Sequence, residues 1–238
     1  QLLEAGPDDD QRAEEADDRG ADGEQVSLEE GGSADLQLTM KPVHEAAPAP
    51  VRQPFQAALA DVLAQHPPPV VSFHFGLPAA DLVQRVKSWG SAVLSSATTV
   101  DEALWLQAHG ADAVIAQGLE AGGHRGMFLS DDLSTQIGTF ALLPQIVQAV
   151  SIPVMAAGGI ASAAGIRAAK ALGAAGVQIG SAYLCSDEAS TSALHRAALQ
   201  SPAARHTALT NVFTGRPARG SARRLGALRS ADRFDRDS

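Results

Sequence analysis

The sequence predicts an α/β fold around a parallel sheet, and three features of the chain indicate it. Short apolar runs with the length of buried strands recur, mostly at intervals of 21 to 23 residues. Segments with apolar residues at helical spacing separate these runs, and a glycine follows nearly every run. Such alternation is typical of βα repeats, in which helices cover both faces of a parallel sheet.

Local signals define the elements in chain order. A helical stripe that starts at Phe55 ends at three consecutive prolines. Pro78 suits the first turn of the second helix, and Thr99 with Glu102 has the spacing of a capping box for the third. The predicted strands are residues 70–76, 92–96, 113–116, 153–157 and 176–179. The predicted helices are residues 55–65, 78–89, 99–110, 144–150 and 162–173.

Strand order cannot be read from this pattern, so a doubly wound sheet and a (β/α)8 barrel both fit it. The residues that follow the strands favour the barrel. Gly76, Gly118, Gly158 and Gly180 all lie just after the C-terminal end of a strand, where barrel enzymes build their sites from many loops. A doubly wound sheet binds its ligand mainly at one switch point. We therefore predict a (β/α)8 TIM barrel.

The formal charge of −9 is concentrated at one end of the chain. Residues 1–50 hold 14 Asp and Glu against 3 Lys and Arg, whereas the remaining 188 residues hold 13 against 15. An acidic segment with few branched apolar residues does not offset the entropy of ordering, so we expect residues 1–50 to be disordered. Lys and Arg do not cluster, which argues against nucleic acid or a membrane as partner. Without an apolar span, and with one cysteine, we expect a cytoplasmic protein.

Two glycine-bearing segments predict an anion site. Gly158 and Gly159 precede a helix that starts near Ser162, and a second segment, Gln178 to Ser181, begins nineteen positions after Gly159. Glycine lets main-chain N–H groups approach a ligand closely, and the helix end adds positive charge. In eight-stranded barrels the loops after the last two strands often bind phosphate. A phosphate dianion is therefore the predicted ligand, and tight left-handed turns without a ligand are the alternative.

The segment 116–126 carries the candidate base. Four glycines among these eleven residues leave room for a planar ligand against the backbone, with His124 facing it. Histidine titrates near neutrality, so one well-placed imidazole can accept a proton from a weak carbon acid. A solvated and inert loop histidine is the alternative. The His, Cys, Asp and Glu residues lack the spacing of a metal site, so we expect no metal.

Four segments together resemble the nitronate monooxygenases, formerly called 2-nitropropane dioxygenases. They are Val-Ser-Phe-His-Phe-Gly at 71–76, Ala-Gln-Gly-Leu-Glu-Ala-Gly-Gly-His-Arg-Gly at 116–126, Ala-Ala-Gly-Gly-Ile at 156–160 and Gln-Ile-Gly-Ser at 178–181. The resemblance covers roughly residues 52–220. It implies an FMN-dependent barrel that oxidises alkyl nitronates, or nitroalkanes, with O₂ to a carbonyl compound and nitrite.

The resemblance also implies roles for residues at matching positions. His124 would be the catalytic base. The cofactor-binding residues would be Gln117, Gly122, Gly123, Gly158, Gly159, Gln178, Ile179, Gly180 and Ser181, the last five at the phosphate end.

The family's first three strands, the first with a Pro-Ile-x-Gln-Ala-Pro-Met-like segment, have no counterpart in this sequence. We therefore expect a chain truncated at its N-terminal side, with about five of eight βα units in residues 51–220 and a disordered or divergent tail at 221–238. Five strands cannot close the barrel, which leaves two sheet edges open. Two alternatives remain: a flavin-dependent enoyl-acyl-carrier-protein reductase, which has a similar histidine loop, and a non-catalytic remnant of the family, which the missing strands favour for this chain in isolation.

Overall fold

A computed structural model describes residues 54–212 and 214–221 of the chain. The strands are β1 (Val70–Phe73), β2 (Ala92–Ala97), β3 (Ala113–Gln117), β4 (Gly123–His124), β5 (Val154–Ala157), β6 (Gly176–Gln178), β7 (Thr207–Thr210) and β8 (Ala218–Ser221). The helices are α1 (Ala57–Leu63), α2 (Ala80–Ser88), α3 (Val100–Ala108), α4 (Thr139–Ala149), α5 (Ala163–Ala171) and α6 (Ala193–Gln200). The expectations for residues 1–50 and for the tail lie outside the described residues, apart from Ser221 at the end of β8.

The main sheet has five parallel strands in the order β1-β2-β3-β5-β6. Each strand therefore pairs with the next predicted strand along the chain, and the winding never reverses direction. A doubly wound sheet requires such a reversal at its switch point, whereas a barrel is wound in one direction only. The predicted α/β class, the five strands and the incomplete barrel are confirmed. Within the described residues the barrel is not closed, because β1 and β6 have one neighbour each.

Local capping signals place two of the helices. The Thr99 hydroxyl accepts the Glu102 N–H at 3.2 Å at the start of α3, as its capping-box spacing predicts. Ser162 likewise accepts the N–H of Gly165 at the start of α5. The predicted start of α2 at Pro78 was two residues early, since Ala79 is extended and occupies the N-cap position.

Helix α4 begins at Thr139, five residues before the predicted start at Pro144. Proline lacks an N–H and is therefore favoured in the first turn of a helix, where that N–H would have no partner. For this reason the sequence predicted a helix start at Pro144. The helix nevertheless begins earlier, because the Glu120 carboxylate binds Thr139 at its N-terminus. The sequence near Thr139 does not contain this partner.

The core lies between the sheet and helices α3 and α4. Leu106 from α3 and Leu142, Leu143 and Ile146 from α4 are fully buried against Val114 of β3. Replacing one such leucine by alanine typically costs about 2–5 kcal/mol of stability. The central strands are therefore held by a continuous apolar layer, and this layer fixes the positions of the loops that follow them.

A second sheet was not predicted. It is antiparallel, with the strand order β4-β8-β7. Gly123 pairs with Arg219 and His124 pairs with Ala218, so the segment near residue 218 lies against the loop that carries the candidate base. None of the helices in the described part of the chain is long and apolar enough to cross a membrane.

Candidate active site

The three predicted site segments emerge at one edge of the main sheet. Gln117 at the end of β3 is in register with Ala157 of β5, and Ala157 is in register with Gln178 of β6. Because parallel strands end on the same edge, the loops that follow them are neighbours. The structure thus brings together the loop that follows β3 and carries His124 (the histidine loop), the Gly158-Gly159 turn and the segment after Gln178.

Contact between two of these loops is direct. A Cβ built on Gly122 would lie 2.9 Å from the Ser181 Oγ, so any larger side chain at this position would displace the hydroxyl. A Cβ on Gly180 would meet no atom within 4 Å. The main-chain N–H groups of Gly159, Gly180 and Ser181 donate to no acceptor within the described residues. The segment therefore presents unpaired donors to open space.

The turn at Gly158 and Gly159 is also required by packing. Both residues have positive φ, +117° and +67°, which favours glycine. A Cβ on Gly158 would lie 2.7 Å from the Thr139 Oγ1. The predicted left-handed turn is thus present, and it presses against the start of α4 while Gly159 stays exposed.

Gln117 braces the histidine loop with both ends of its buried amide. Its Nε2 donates to the His124 carbonyl at 3.0 Å, and its Oε1 accepts the Gly126 N–H at 2.7 Å. These partners fix the orientation of the amide, since only the oxygen can face an N–H. The Gln117 side chain therefore holds the loop in place, and its predicted contact with a cofactor stays a prediction.

Arg125 is fully buried and lies beneath the same loop. Its guanidinium donates to the carbonyls of Gln117 at 2.8 Å and Gly118 at 2.7 Å, and Nε donates to the Gln136 Oε1 at 3.0 Å. Burial lowers the pKa of Arg125 to about 10, so the group remains charged at neutral pH. A buried positive charge bonded to neutral oxygens therefore lies directly behind the candidate site.

His124 is half-buried and has a hydroxyl partner from the C-terminal part of the chain. Its Nε2 lies 2.7 Å from the Thr214 Oγ1. That oxygen also accepts the Arg216 N–H at 3.4 Å, which leaves the hydroxyl proton available to donate to the imidazole. The His124 ring meets the ring of Phe75 edge to face, with a centroid distance of 6.1 Å.

His74 supports the loop from the end of β1. Its Nε2 lies 3.3 Å from the His124 carbonyl, which can only accept, so this nitrogen carries the proton. Its Nδ1, 3.1 Å from the Ser96 Oγ, then accepts from that hydroxyl. Partial desolvation lowers the pKa of His74 although the side chain still reaches solvent. A neutral His74 thus bonds to the backbone of His124 at neutral pH.

Sequence reasoning missed several side chains that shape the site. Glu102 is buried, and its carboxylate ties Thr98 to the main chain of Phe128. Thr214 and the neighbouring Arg216 come from a segment without a periodic pattern, so only the tertiary pairing of β8 with β4 reveals them. No group of three or more His, Cys, Asp or Glu in the part of the chain that the structure describes could hold a metal ion.

Comparison with known proteins places the chain in a family. The sequence profile of nitronate monooxygenases matches residues 26–234. The chain belongs to the nitronate monooxygenase family. Nitronate monooxygenases are flavin-dependent oxidoreductases, and the family predicted from the four motifs is confirmed.

Two curated nitronate monooxygenases illustrate the extent of the match. The one from Paraburkholderia phytofirmans is 44% identical over 186 residues, which cover 76% of this chain and 51% of the relative. The one from Pseudomonas aeruginosa is 48% identical over 167 residues, covering 70% and 48%. The chain thus spans about half the length of the curated nitronate monooxygenases it matches.

Solved structures agree with the assignment. Nitroalkane oxidase from Streptomyces ansochromogenes aligns with a TM-score of 0.66 and 48% identity over 69% of this chain and 48% of its own. FabK from Thermotoga maritima aligns with a TM-score of 0.62 and 32% identity over 75% and 55%. Both neighbours have the barrel fold, and this nitronate monooxygenase family member presents an open part of it.

Proposed function

We propose that this chain acts in the FMN-dependent oxidation of alkyl nitronates and nitroalkanes by O₂, which yields a carbonyl compound and nitrite. The observation that carries the proposal is the convergence of three loops at one sheet edge: two of them carry N–H groups that find no acceptor among the described residues, and the third carries His124. FMN has a planar ring system and a phosphate at the end of its side chain. Such a ligand needs donors for the phosphate and a base beside the ring on neighbouring loops.

The residues at the end of β6 fit the phosphate of FMN. Gly180 has open space in front of it, and the N–H groups of Gly159, Gly180 and Ser181 find no acceptor among the described residues. The exposed Ser181 hydroxyl and the N-terminus of α5, which Ser162 caps, add further favourable groups for an anion. We infer that these residues would hold the phosphate, and that Gly122 and Gly123 would let the flavin approach the backbone. Bound FMN would supply the electron acceptor.

His124 would take the proton from a neutral nitroalkane. A nitro group acidifies its α-carbon, so an imidazole can serve as base. Gln117 and His74 both donate to the His124 carbonyl, and this fixes the loop that carries the ring. The positive charge of Arg125 behind the loop favours the anion that forms. In the net reaction two nitronate anions consume one O₂: each carbon–nitrogen bond breaks, each carbon gains one oxygen atom to become a carbonyl, and each nitrogen leaves as nitrite.

Flavin binding and nitrite release test the proposal. We expect the purified chain to bind FMN, detected by quenching of flavin fluorescence, and to release nitrite from ethylnitronate with uptake of O₂. His124→Ala should lower turnover of neutral nitroethane by about 10²- to 10⁴-fold. The same variant should keep FMN and retain more of its activity on preformed ethylnitronate, which needs no base.

Two outcomes would contradict the proposal. A flavin-loaded chain that releases no nitrite from ethylnitronate does not have this activity, and it would match the non-catalytic remnant. Consumption of NAD(P)H with an enoyl thioester, without nitrite release from a nitronate, would favour the reductase instead.

A further inference from the structure

A strap formed by residues 214–217 crosses the loop that carries His124. The strap is attached at three points: Thr214 Oγ1 lies 2.7 Å from the His124 Nε2, the Pro217 carbonyl accepts the Arg125 N–H at 2.8 Å, and Ala218 just beyond it pairs with His124. The proposed function gives no role to the charged residue in the middle of this strap, Arg216.

Arg216 and His124 lie against the same aromatic ring. The Arg216 Cζ is 4.3 Å from the centroid of the Phe75 ring, and the His124 ring meets Phe75 edge to face. Phe75 has a φ of +66° and is the one non-glycine residue with positive φ among residues 54–212 and 214–221. A bulky residue in this conformation is strained, and such strain persists where the surrounding structure fixes the side chain. Phe75 is thus held between a guanidinium and the candidate base.

Among the described residues no carboxylate forms an ion pair with Arg216. The side chain is exposed, and the ion pairs found within the described residues join Arg85 to Asp61 and Lys87 to Asp112 instead. Stacking on an aromatic face occupies the flat side of a guanidinium and leaves its N–H edge available for an acceptor. Within the described residues, the Arg216 side chain therefore has N–H donors without an acceptor, and its positive charge lies on the same Phe75 ring that His124 contacts.

We propose that Arg216 recognises the substrate by binding the two oxygens of the nitronate anion. This inference rests on the proposed function. A nitronate carries its negative charge on two oxygens of one planar group, as a carboxylate does, and the guanidinium fork matches two such oxygens. The substrate would lie with its oxygens toward Arg216 and its carbon toward His124. Binding by Arg216 would favour the anion over the neutral nitroalkane.

Steady-state kinetics of the FMN-loaded chain with ethylnitronate test this role. Loss of a charge-assisted, two-point contact should raise the KM of Arg216→Gln by about 10- to 100-fold, with a smaller change in kcat. Arg216→Lys keeps the charge and should recover part of the loss. Arg205→Gln is the matched control, since Arg205 is also exposed and makes no side-chain hydrogen bond or ion pair within the described residues.

A binding measurement separates this inference from the proposed function. Propionate has the shape and charge of a small nitronate, so calorimetry should show that it binds the chain and binds Arg216→Gln at least about 10-fold more weakly. If the chain binds propionate through Arg216 but releases no nitrite, the proposed oxidation fails while anion recognition stands. An unchanged KM and an unchanged propionate affinity in Arg216→Gln would overturn the role of Arg216. Equal losses in Arg205→Gln would overturn it as well, because they would indicate a general effect of charge.

Discussion

Glu120 caps helix α4 from a loop nineteen residues earlier, and its Oε2 accepts both the N–H and the hydroxyl of Thr139 at 2.8 Å. This contact ties the histidine loop to the start of a buried helix. We expect Glu120→Ala to destabilise the chain by about 1–2 kcal/mol, because the helix end loses its carboxylate acceptor. Urea unfolding followed by circular dichroism measures this difference.

Glu188→Ala is the control for this prediction, since Glu188 is exposed and its carboxylate accepts no hydrogen bond within the described residues. Its effect should stay within about 0.5 kcal/mol of zero. Equal unfolding midpoints for the two variants would show that Glu120 does not stabilise α4.

Gly118 is the position at the end of β3 where no side chain fits. A Cβ there would overlap the Oγ1, the Cα and the main-chain N of Thr139. Since backbone atoms cannot move aside cheaply, we expect Gly118→Ala to cost about 3 kcal/mol or more and to lower the melting temperature by many degrees. Gly180→Ala, with open space around its Cβ, should melt near the wild-type temperature. A Gly118→Ala variant with the melting temperature of the wild type would contradict the close approach of Gly118 to Thr139.

Gly180 also tests the proposed phosphate end of the cofactor site. Gly180→Asp places a negative charge where the FMN phosphate would bind, so we expect FMN affinity to fall by at least about 10-fold through like-charge repulsion. Gly180→Ala adds a Cβ without charge and should keep most of the affinity. Fluorescence titration measures both.

Riboflavin provides the discriminating control, because it has the same ring system without the phosphate. Gly180→Asp should weaken FMN binding much more than riboflavin binding. If both flavins lose affinity equally, the residue does not face the phosphate.

The strands and two helix starts could be predicted because their signals are local. Thr99 and Ser162 cap helices through hydrogen bonds to residues three positions away. Each strand is marked by its own apolar run, whatever its position in the sheet. The order of the strands follows from winding in one direction, which is the property of the barrel that the glycines after the strand ends favoured. The gathering of the three loops at one edge follows in turn from that order.

The remaining features depend on partners that are distant in the sequence. Helix α4 starts at Thr139 because Glu120 binds it, and no neighbour of Thr139 indicates this. Strand β8 has the sequence Ala-Arg-Gly-Ser, which carries no apolar pattern, and it becomes a strand by pairing with His124 ninety-four positions earlier. The partner of the candidate base, Thr214, could not be found for the same reason.

Arg125 shows how a buried charge holds the site together. Arg125→Met would leave the carbonyls of Gln117 and Gly118 and the Gln136 side-chain oxygen buried without these donors. We expect a loss of about 3 kcal/mol or more in the free energy of unfolding, because these buried oxygens lose charged donors, although the Gly118 carbonyl still accepts the Ala121 N–H at 3.1 Å. Arg205→Met, at an exposed position, should change it by less than about 0.5 kcal/mol. An Arg125→Met chain of wild-type stability would show that water replaces the guanidinium without cost.

His74 makes the stability of the chain depend on pH in a defined direction. Desolvation lowers the pKa of His74, and the nearby charges of His124, Arg125 and Arg216 lower it further, although the hydrogen bond to the His124 carbonyl opposes them. The unfolded chain, with an ordinary histidine pKa of about 6.5, therefore takes up a proton at higher pH than the folded chain. The stabilisation is complete above the unfolded pKa and is lost as pH falls through and below about 6.5.

Urea unfolding at pH 7.5 and pH 5.5 measures this dependence in wild type and in His74→Gln. Other titrating groups are shared by the two proteins, so the difference between them isolates His74, and wild type should lose more stability on acidification. The ring proton signals of His74 should titrate with a midpoint below that of an unfolded histidine. A midpoint at or above about 6.5, or the same loss of stability in both proteins, would mean that the imidazole is as well solvated when folded as when unfolded. A midpoint above neutrality would also mean that the imidazolium form, with a proton on each ring nitrogen, predominates at neutral pH.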